Sequence, residues 1–472
     1  MERIKTDICV IGGGSGGLSV AAGAVQMGAK VVLVEGGEMG GDCLNYGCVP
    51  SKALIAAGKH AHAMTTGAAF GVKPVTPKVD FKATKGHVAE VIAGIAPHDS
   101  VERFEGLGVK VITAYGQFIS PTELQAGDTI IKARRFVIAT GSSPFVPPIP
   151  GLEDVPYDTN ETVFNQTEQP EHLIIIGGGP IGMELAQAHK RLGSKVTVLE
   201  GLKALGKDDP ELAAIALRRI RSEGVEIVED EMASQISGKA GDITVETKSG
   251  KKFTGSHLLM AVGRKPNIDR LDLAKAGVDF ERTGIAVTDA LKTTNRRIYA
   301  IGDVAGGLQF THMANYHAGI VIRSALFGLP AKQSTAHIPW ATYTEPEIAQ
   351  VGLTESAAKN IHGDRLEVAR FEFAENDRLR AERNTTGLIK VMVVKGRPVG
   401  ASIVGAQAGE LIALWSMAIA NKMKMGQIAA MVAPYPTVAE INKRAAGAYF
   451  SPRLFENPTV KRVVGLIQRF GW

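Results

Sequence analysis

Three cysteines in 472 residues are too few for a disulfide framework, which belongs to short secreted chains dense in that residue. Long apolar runs are missing too. None approaches the roughly 18 residues that a membrane-spanning helix requires. The nearest, Leu411–Ala420, is short and followed by lysines, and reads as a buried or interface helix. The chain opens on no charged-then-apolar export segment, so a cytoplasmic location is expected. Charge is not concentrated either. The formal net charge is +5, but the basic residues are scattered rather than striped, which argues against a nucleic-acid partner.

Two nucleotide-binding signatures are present. Ile8-Cys9-Val10-Ile11 reads as a strand, and Gly12, Gly14 and Gly17 then form a GxGxxG turn into an Ala-rich helix. That arrangement lets backbone amides at a helix N-terminus approach a pyrophosphate. Val31–Val34 reads as the next strand, and Glu35 at its end is the expected partner of ribose hydroxyls. The pattern recurs: Leu173–Ile176 precedes Gly177, Gly179 and Gly182, with Val196–Leu199 and Glu200 after it. Two complete units argue for two different dinucleotides exchanging electrons. Glu200 would accept from a 2′-hydroxyl and repel a 2′-phosphate, which favours NADH over NADPH. Lys203 and Lys207 lie close enough in sequence to blur that preference.

Just beyond the first unit lies Gly40-Gly41-Asp42-Cys43-Leu44-Asn45-Tyr46-Gly47-Cys48-Val49-Pro50-Ser51-Lys52. Cys43 and Cys48, so near a cofactor site, imply a disulfide made and broken during the chemistry. Cys9, in its apolar strand, reads as a small core residue. On a regular helix, positions five apart diverge by about 140°, too far for bonded sulfurs. The backbone through Asn45-Tyr46-Gly47 must therefore be irregular, with Gly47 supplying the freedom. A helix is expected from Pro50 onward, and its N-terminus together with Lys52 favours thiolate over thiol. A zinc half-site is the competing reading, but no second Cys/His cluster is spaced to complete four ligands.

The Pro-rich stretch Pro144–Gly151 and the region of Pro266 mark boundaries. They divide the chain into segments 1–150, 151–268, 269–338 and 339–472, the first two each carrying one of the nucleotide-binding signatures. The fold class is α/β: two Rossmann-like dinucleotide-binding domains plus an α+β C-terminal domain of strands, such as Gly387–Val394, and helices.

Three further runs complete a set: Ala139-Thr140-Gly141-Ser142-Ser143-Pro144, Ala261-Val262-Gly263-Arg264-Lys265-Pro266-Asn267 and Ile298-Tyr299-Ala300-Ile301-Gly302-Asp303. With the cysteine run and both fingerprints, they make the chain resemble the flavoprotein disulfide reductases over essentially its whole length. This is the family of dihydrolipoamide dehydrogenase, glutathione reductase and mercuric reductase. The resemblance implies FAD, with its pyrophosphate at Gly12, Gly14 and Gly17, its adenosine ribose at Glu35 and its ribityl–phosphate region at Asp303. It also places Gly36, Gly41, Asp42, Lys52, Gly116, Thr140, Gly141, Ser142 and Met313 around the flavin nucleotide. The second nucleotide would meet Gly177, Gly179, Gly182, Glu184, Glu200, Gly263 and Arg264. Lys52 would lie near the reactive flavin nitrogen and pair with Glu184. Cys48 would be the thiolate beside the flavin, and Cys43 the thiol that exchanges with the acceptor. The resemblance further implies a first part of an FAD-binding domain at 1–150, an NAD(P)-binding domain at 151–268, a return to the FAD or central domain at 269–338, and a dimerisation domain at 339–472. A homodimer is implied, each active site completed by the partner chain.

The resemblance fails at one position. Dithiol-handling members carry a His-Pro-Thr run followed by a glutamate that orients the histidine. Here the run is Ala433-Pro434-Tyr435-Pro436-Thr437-Val438-Ala439-Glu440. Tyr435 stands in the place of the base, and an ordinary phenol, with a pKa near 10, is a poor base at neutral pH. His312 and His317 fall in the flavin-contacting segment and are poor substitutes. A tyrosine here resembles mercuric reductases, yet the cysteine pair those carry near their end has no counterpart. The leading expectation is an enzyme of the dihydrolipoamide dehydrogenase type, passing electrons from NADH through FAD to Cys43–Cys48. Its acceptor is a disulfide, a metal ion or a quinone-like compound. A metal-ion or quinone reductase akin to mercuric reductase is the alternative within the enzyme class, and a redox-sensing nucleotide-binding protein the alternative outside it. No resident metal is expected.

Residues Thr459–Trp472 carry Lys461, Arg462 and Arg469, no acid, and apolar residues at helical spacing. Packing on its own dimer is the expected use of such a stripe, with contact to an anionic membrane surface the competing one.

Overall fold

The computed structural model describes residues 1–470, so Gly471 and Trp472 of the tail lie outside the described residues. Glu2–Ile11 is the centre of the first sheet because its second half, Ile8 to Ile11, is apolar on both faces and fully buried. That is what a parallel strand covered by helices requires. It pairs in parallel with Val31–Glu35 on one side and Thr129–Ile138 on the other. Lys110–Thr113 extends the sheet beyond Val31–Glu35, and Glu123–Ala126 and Gly116–Ser120 add an antiparallel edge. Ile298–Ala300 returns from far along the chain to pair with residues 136–138. Helix Ser15–Gln26 lies against helix Thr311–Ala325, close enough that a Cβ on Gly23 would sit 2.5 Å from Ile322.

A second parallel sheet runs in the order Glu226–Val228, Lys195–Leu199, His172–Ile176, His257–Met260. Ser142–Pro144 and Arg264–Pro266 pair antiparallel where the chain leaves for this unit and returns from it. That two-stranded ribbon brings the motifs around 140 and 264 together.

The C-terminal unit is a five-stranded antiparallel sheet in the order Pro339–Thr342, Glu347–Gly352, Arg397–Gly405, Leu388–Val394, Leu366–Glu372. Helix Ala408–Ala420 buries Leu411, Ile412, Trp415 and Ala418 against it. The Trp415 indole N–H donates to Asn442 Oδ1 at 2.7 Å, so the one polar atom of this buried side chain is satisfied. Among the described residues no helix is long and apolar enough to cross a membrane.

Candidate active site

The two cysteines sit on different helices. Cys43 lies on the short helix Gly41–Asn45, which ends at Tyr46, and Cys48 opens the helix Cys48–Ala63. The helix expected from Pro50 therefore begins two residues earlier, directly at the sulfur-bearing residue. No side chain caps its N-terminus, so its first N–H groups and its positive end act on Cys48. Both cysteines are unbonded thiols, Cys43 half-buried and Cys48 exposed.

A hydrogen bond from Cys43, the hydroxyl of Thr311 and the charge of Lys52 together hold Cys48 down at about 6, against the partial desolvation of its sulfur by surrounding groups and the Asp42 charge. Thr311 Oγ1 lies 3.4 Å from the Cys48 sulfur. Holding the shared proton, together with burial, pushes Cys43 well above the ordinary thiol range. The pair is thus one thiolate and one thiol, the form in which a single sulfur is the nucleophile.

Lys52 stands one helical turn after Cys48, on the same face. Its Nζ meets Glu184 Oε2 at 2.8 Å and lies 4.5 Å from the centre of the Tyr343 ring. Glu184 is buried on helix Pro180–Arg191, and its other oxygen accepts the Tyr343 amide at 2.8 Å. One carboxylate therefore ties three distant segments together beside the cysteines.

At the first fingerprint, Gly12 has φ +111°, and a Cβ on Gly17 would fall 1.9 Å from the Gly12 carbonyl oxygen. Beside Gly14 the space is open, its nearest would-be contact being Gly41 Cα at 3.9 Å. The helix from Ser15 has no side-chain cap. An uncapped helix end facing room left by a glycine is what a pyrophosphate requires, so the residues present fit a dinucleotide. Glu35 accepts from the Gly13 amide and, at 2.6 Å, from the Gly37 amide, which fixes its carboxylate beside this turn. Gly36 leaves no room for a Cβ because the Tyr115 ring lies on it, Gly116 is buried at the start of its strand, and Met313 is buried on helix Thr311–Ala325. Gly41 crosses so close to Gly14 that its Cβ would lie 2.8 Å from that Cα, which sets the cysteine helix on the fingerprint.

Arg264, expected at the second nucleotide, donates from Nε to Ser142 Oγ at 2.7 Å, and its Nη2 lies 2.9 Å from Asp42 Oδ1. Ser142 in turn donates to Asp303 at 2.6 Å. The antiparallel ribbon carries Arg264 over to the residues grouped with the flavin, where two carboxylates draw its charge. Burial raises Asp303, and the Ser142 hydroxyl and Arg264 act against that rise. Thr140 and Asn267 exchange hydrogen bonds of 2.7 and 3.0 Å next to Gly141, whose φ is +67°.

The second fingerprint repeats the first. Gly177 has φ +112°, a Cβ on Gly182 would fall 2.0 Å from the Gly177 oxygen, and nothing lies within 4 Å of where one on Gly179 would sit. Glu200 accepts the amides of Gly178 at 2.7 Å and Leu202 at 2.8 Å, as Glu35 does in the first unit. Gly263 has φ +131° and an open Cβ position. Lys203 is engaged by Asp230 at 2.6 Å, while Lys207 is exposed.

Tyr435 and Glu440 are not beside these groups within one chain. The Tyr435 ring is 70% exposed, and its hydroxyl donates to Asp377 Oδ2 at 3.1 Å, a partner no sequence pattern announced. That acidic neighbour raises the phenol further above its ordinary value. Glu440 opens helix Glu440–Phe455 and lines a broad cleft of about 840 Å³ with Arg370, Lys443 and Arg444. His312 bonds the Pro339 carbonyl at 2.7 Å, and His317, buried, lies between the Gly302 amide and Gln333. Both histidines are thus committed elsewhere.

Family comparison agrees with this layout. The model of the pyridine nucleotide-disulphide oxidoreductases matches residues 6–318, and that of their dimerisation domain matches 338–446. A mercuric reductase of Bacillus cereus is 34% identical over 92% of this chain and 70% of its own length. A dihydrolipoyl dehydrogenase of Geobacillus stearothermophilus is 34% identical over 94% of this chain and 96% of its own. Among solved structures, the HOCl-induced flavoprotein disulfide reductase RclA of Escherichia coli superposes with a TM-score of 0.84 at 28% identity, covering 93% of this chain and 99% of that one. Its Cu(II) complex gives 0.85 at 27% identity, covering 94% and 99%. The family depends on FAD and NAD(P)H, and the dimerisation domain supports a homodimer. The chain belongs to the pyridine nucleotide-disulphide oxidoreductases, enzymes that act on sulfur groups.

Proposed function

We propose that this enzyme takes electrons from NADH and delivers them, through Cys43 and Cys48, to an acceptor that needs no proton from a neutral-range base. A thiophilic metal ion is the foremost acceptor of that kind, and a quinone-like compound, which takes one proton from the Cys43 thiol and one from solvent, the other. The observation that carries this reading is Tyr435 held by Asp377. With its phenol raised by that carboxylate, Tyr435 neither deprotonates an incoming dithiol nor reprotonates a leaving thiolate at pH 7.

Bound FAD would supply the two-electron link between nicotinamide hydride and the cysteine pair. The uncapped helix at Ser15 and the open Gly14 would hold its phosphates, and Glu35 would meet its adenosine ribose. Lys52, fixed by Glu184, keeps a positive charge beside the Cys48 thiolate. Cys43 holds the second proton of the dithiol and presents the outer sulfur. Two soft sulfurs this close suit a thiophilic ion as substrate. The Asp230 contact draws Lys203 away from Glu200, which supports NADH over NADPH. Tyr435 and Glu440 face Cys43 of the partner subunit, and the compartment is the cytoplasm.

An anaerobic acceptor panel with NADH tests this. Faster turnover with Hg(II), Cu(II) or a benzoquinone than with lipoamide or oxidised glutathione is the expected result. Rapid turnover of lipoamide alone overturns it.

A further inference from the structure

We propose that helix Pro458–Phe470 docks the enzyme on an anionic lipid surface. The helix lies beyond residue 446, where the match to the dimerisation domain ends. Within a single chain none of its residues is buried. Val463, Val464, Leu466, Ile467 and Phe470 are each about half or more exposed, Phe470 at 85%.

At about 100° per residue, Val460, Val463, Val464, Leu466, Ile467 and Phe470 share an arc of about 160°. Lys461, Arg462 and Arg469 fall on the opposite arc with Gln468 and Gly465, and the helix carries no acid. Exposed Leu454 and Phe455 end the preceding helix and add apolar surface just before it. At 13 residues the helix is about 20 Å long, short of the roughly 30 Å of a bilayer core. It therefore lies along an interface rather than crossing it.

Charge decides the occupant. Pairing with the same helix of a second copy covers the apolar arc but gives the three cations of the other arc nothing to bind beyond water. Anionic headgroups satisfy both arcs at once: the apolar residues enter the acyl boundary while lysine and arginine reach phosphate. This placement stands independently of which acceptor the enzyme reduces.

Flotation of the full-length holoenzyme would use vesicles of pure phosphatidylcholine and vesicles with a quarter phosphatidylglycerol. The full chain should float with the anionic vesicles and not with the neutral ones, and high salt should weaken the binding. A chain ending at Asn457 should lose flotation while retaining flavin and its dimeric mass in sedimentation. Lys461→Gln, Arg462→Gln and Arg469→Gln together should weaken partition on the order of 100-fold. Equal flotation of the full and shortened chains overturns the proposal, as does binding indifferent to phosphatidylglycerol. Collapse of the shortened chain to monomer without lipid binding by the full chain also overturns it, and assigns the helix to a second copy.

Discussion

Lys52 and Glu184 meet at 2.8 Å across two units of the chain, joining the helix that begins at Cys48 to the helix that begins at the second fingerprint. The carboxylate is buried and also holds the Tyr343 amide, so it fixes the lysine rather than merely neutralising it. Glu184→Gln keeps the shape and removes the charge. Flavin reduction by NADH in stopped flow should slow on the order of 10²-fold, the usual cost of misplacing a reacting group by about 1 Å. An unchanged rate would show that Lys52 is positioned by its own helix.

The Cys48 thiolate gives a direct pH signature. With its value lowered to about 6 from an ordinary thiol value of about 8.5, Cys48 is ionised at neutral pH. Its iodoacetamide alkylation rate should rise through a midpoint near 6. Cys43→Ala and Thr311→Val each remove a hydrogen-bond donor that favours the thiolate, so each should move the midpoint upward. A wild-type midpoint above 8 would mean the sulfurs do not share a proton as described.

The two fingerprints separate by paired substitution. Gly17→Ala drives a methyl against the Gly12 carbonyl, and Gly182→Ala does the same against Gly177. The first should purify without flavin. The second should stay yellow yet resist reduction by NADH while remaining reducible by dithionite. Flavin loss from the second variant alone would reverse the assignment of the sites.

Much of this was legible because the informative motifs are local. The glycine turns, Glu35, Glu200 and the Cys43–Lys52 run each lie within about twenty residues of the strand that positions them. Long-range partners were not. Asp377 lies far from Tyr435 in sequence, and nothing around it marks it as the group that binds the phenol. Tyr343 joins Glu184 through its backbone amide, which no side-chain pattern reveals. The contacts of Arg264 with Ser142 and Asp42 depend on a two-stranded ribbon closed by residues 142–144, which no local pattern reveals. The antiparallel strand order of the C-terminal sheet is likewise a product of non-local pairing, whereas its buried helix around Trp415 was visible as an apolar run.

Nucleotide choice follows from Glu200. Glu200→Ala removes the carboxylate that would repel a 2′-phosphate. The ratio of NADH to NADPH reduction rates should fall, and Asp230→Asn, by releasing Lys203, should lower it further. A wild type that prefers NADPH would refute the role given to Glu200.

The central claim is that Tyr435 denies the enzyme a base for dithiol exchange, and Tyr435→His tests it most directly. Lipoamide and benzoquinone turnover with NADH would be compared in both proteins from pH 6 to 9. Acid–base assistance contributes about 10²–10⁴ in rate. The histidine variant should therefore raise lipoamide turnover by at least about tenfold near pH 7 and leave quinone turnover nearly unchanged. A wild type that already reduces lipoamide faster than quinone, with no gain from the histidine, would contradict the account.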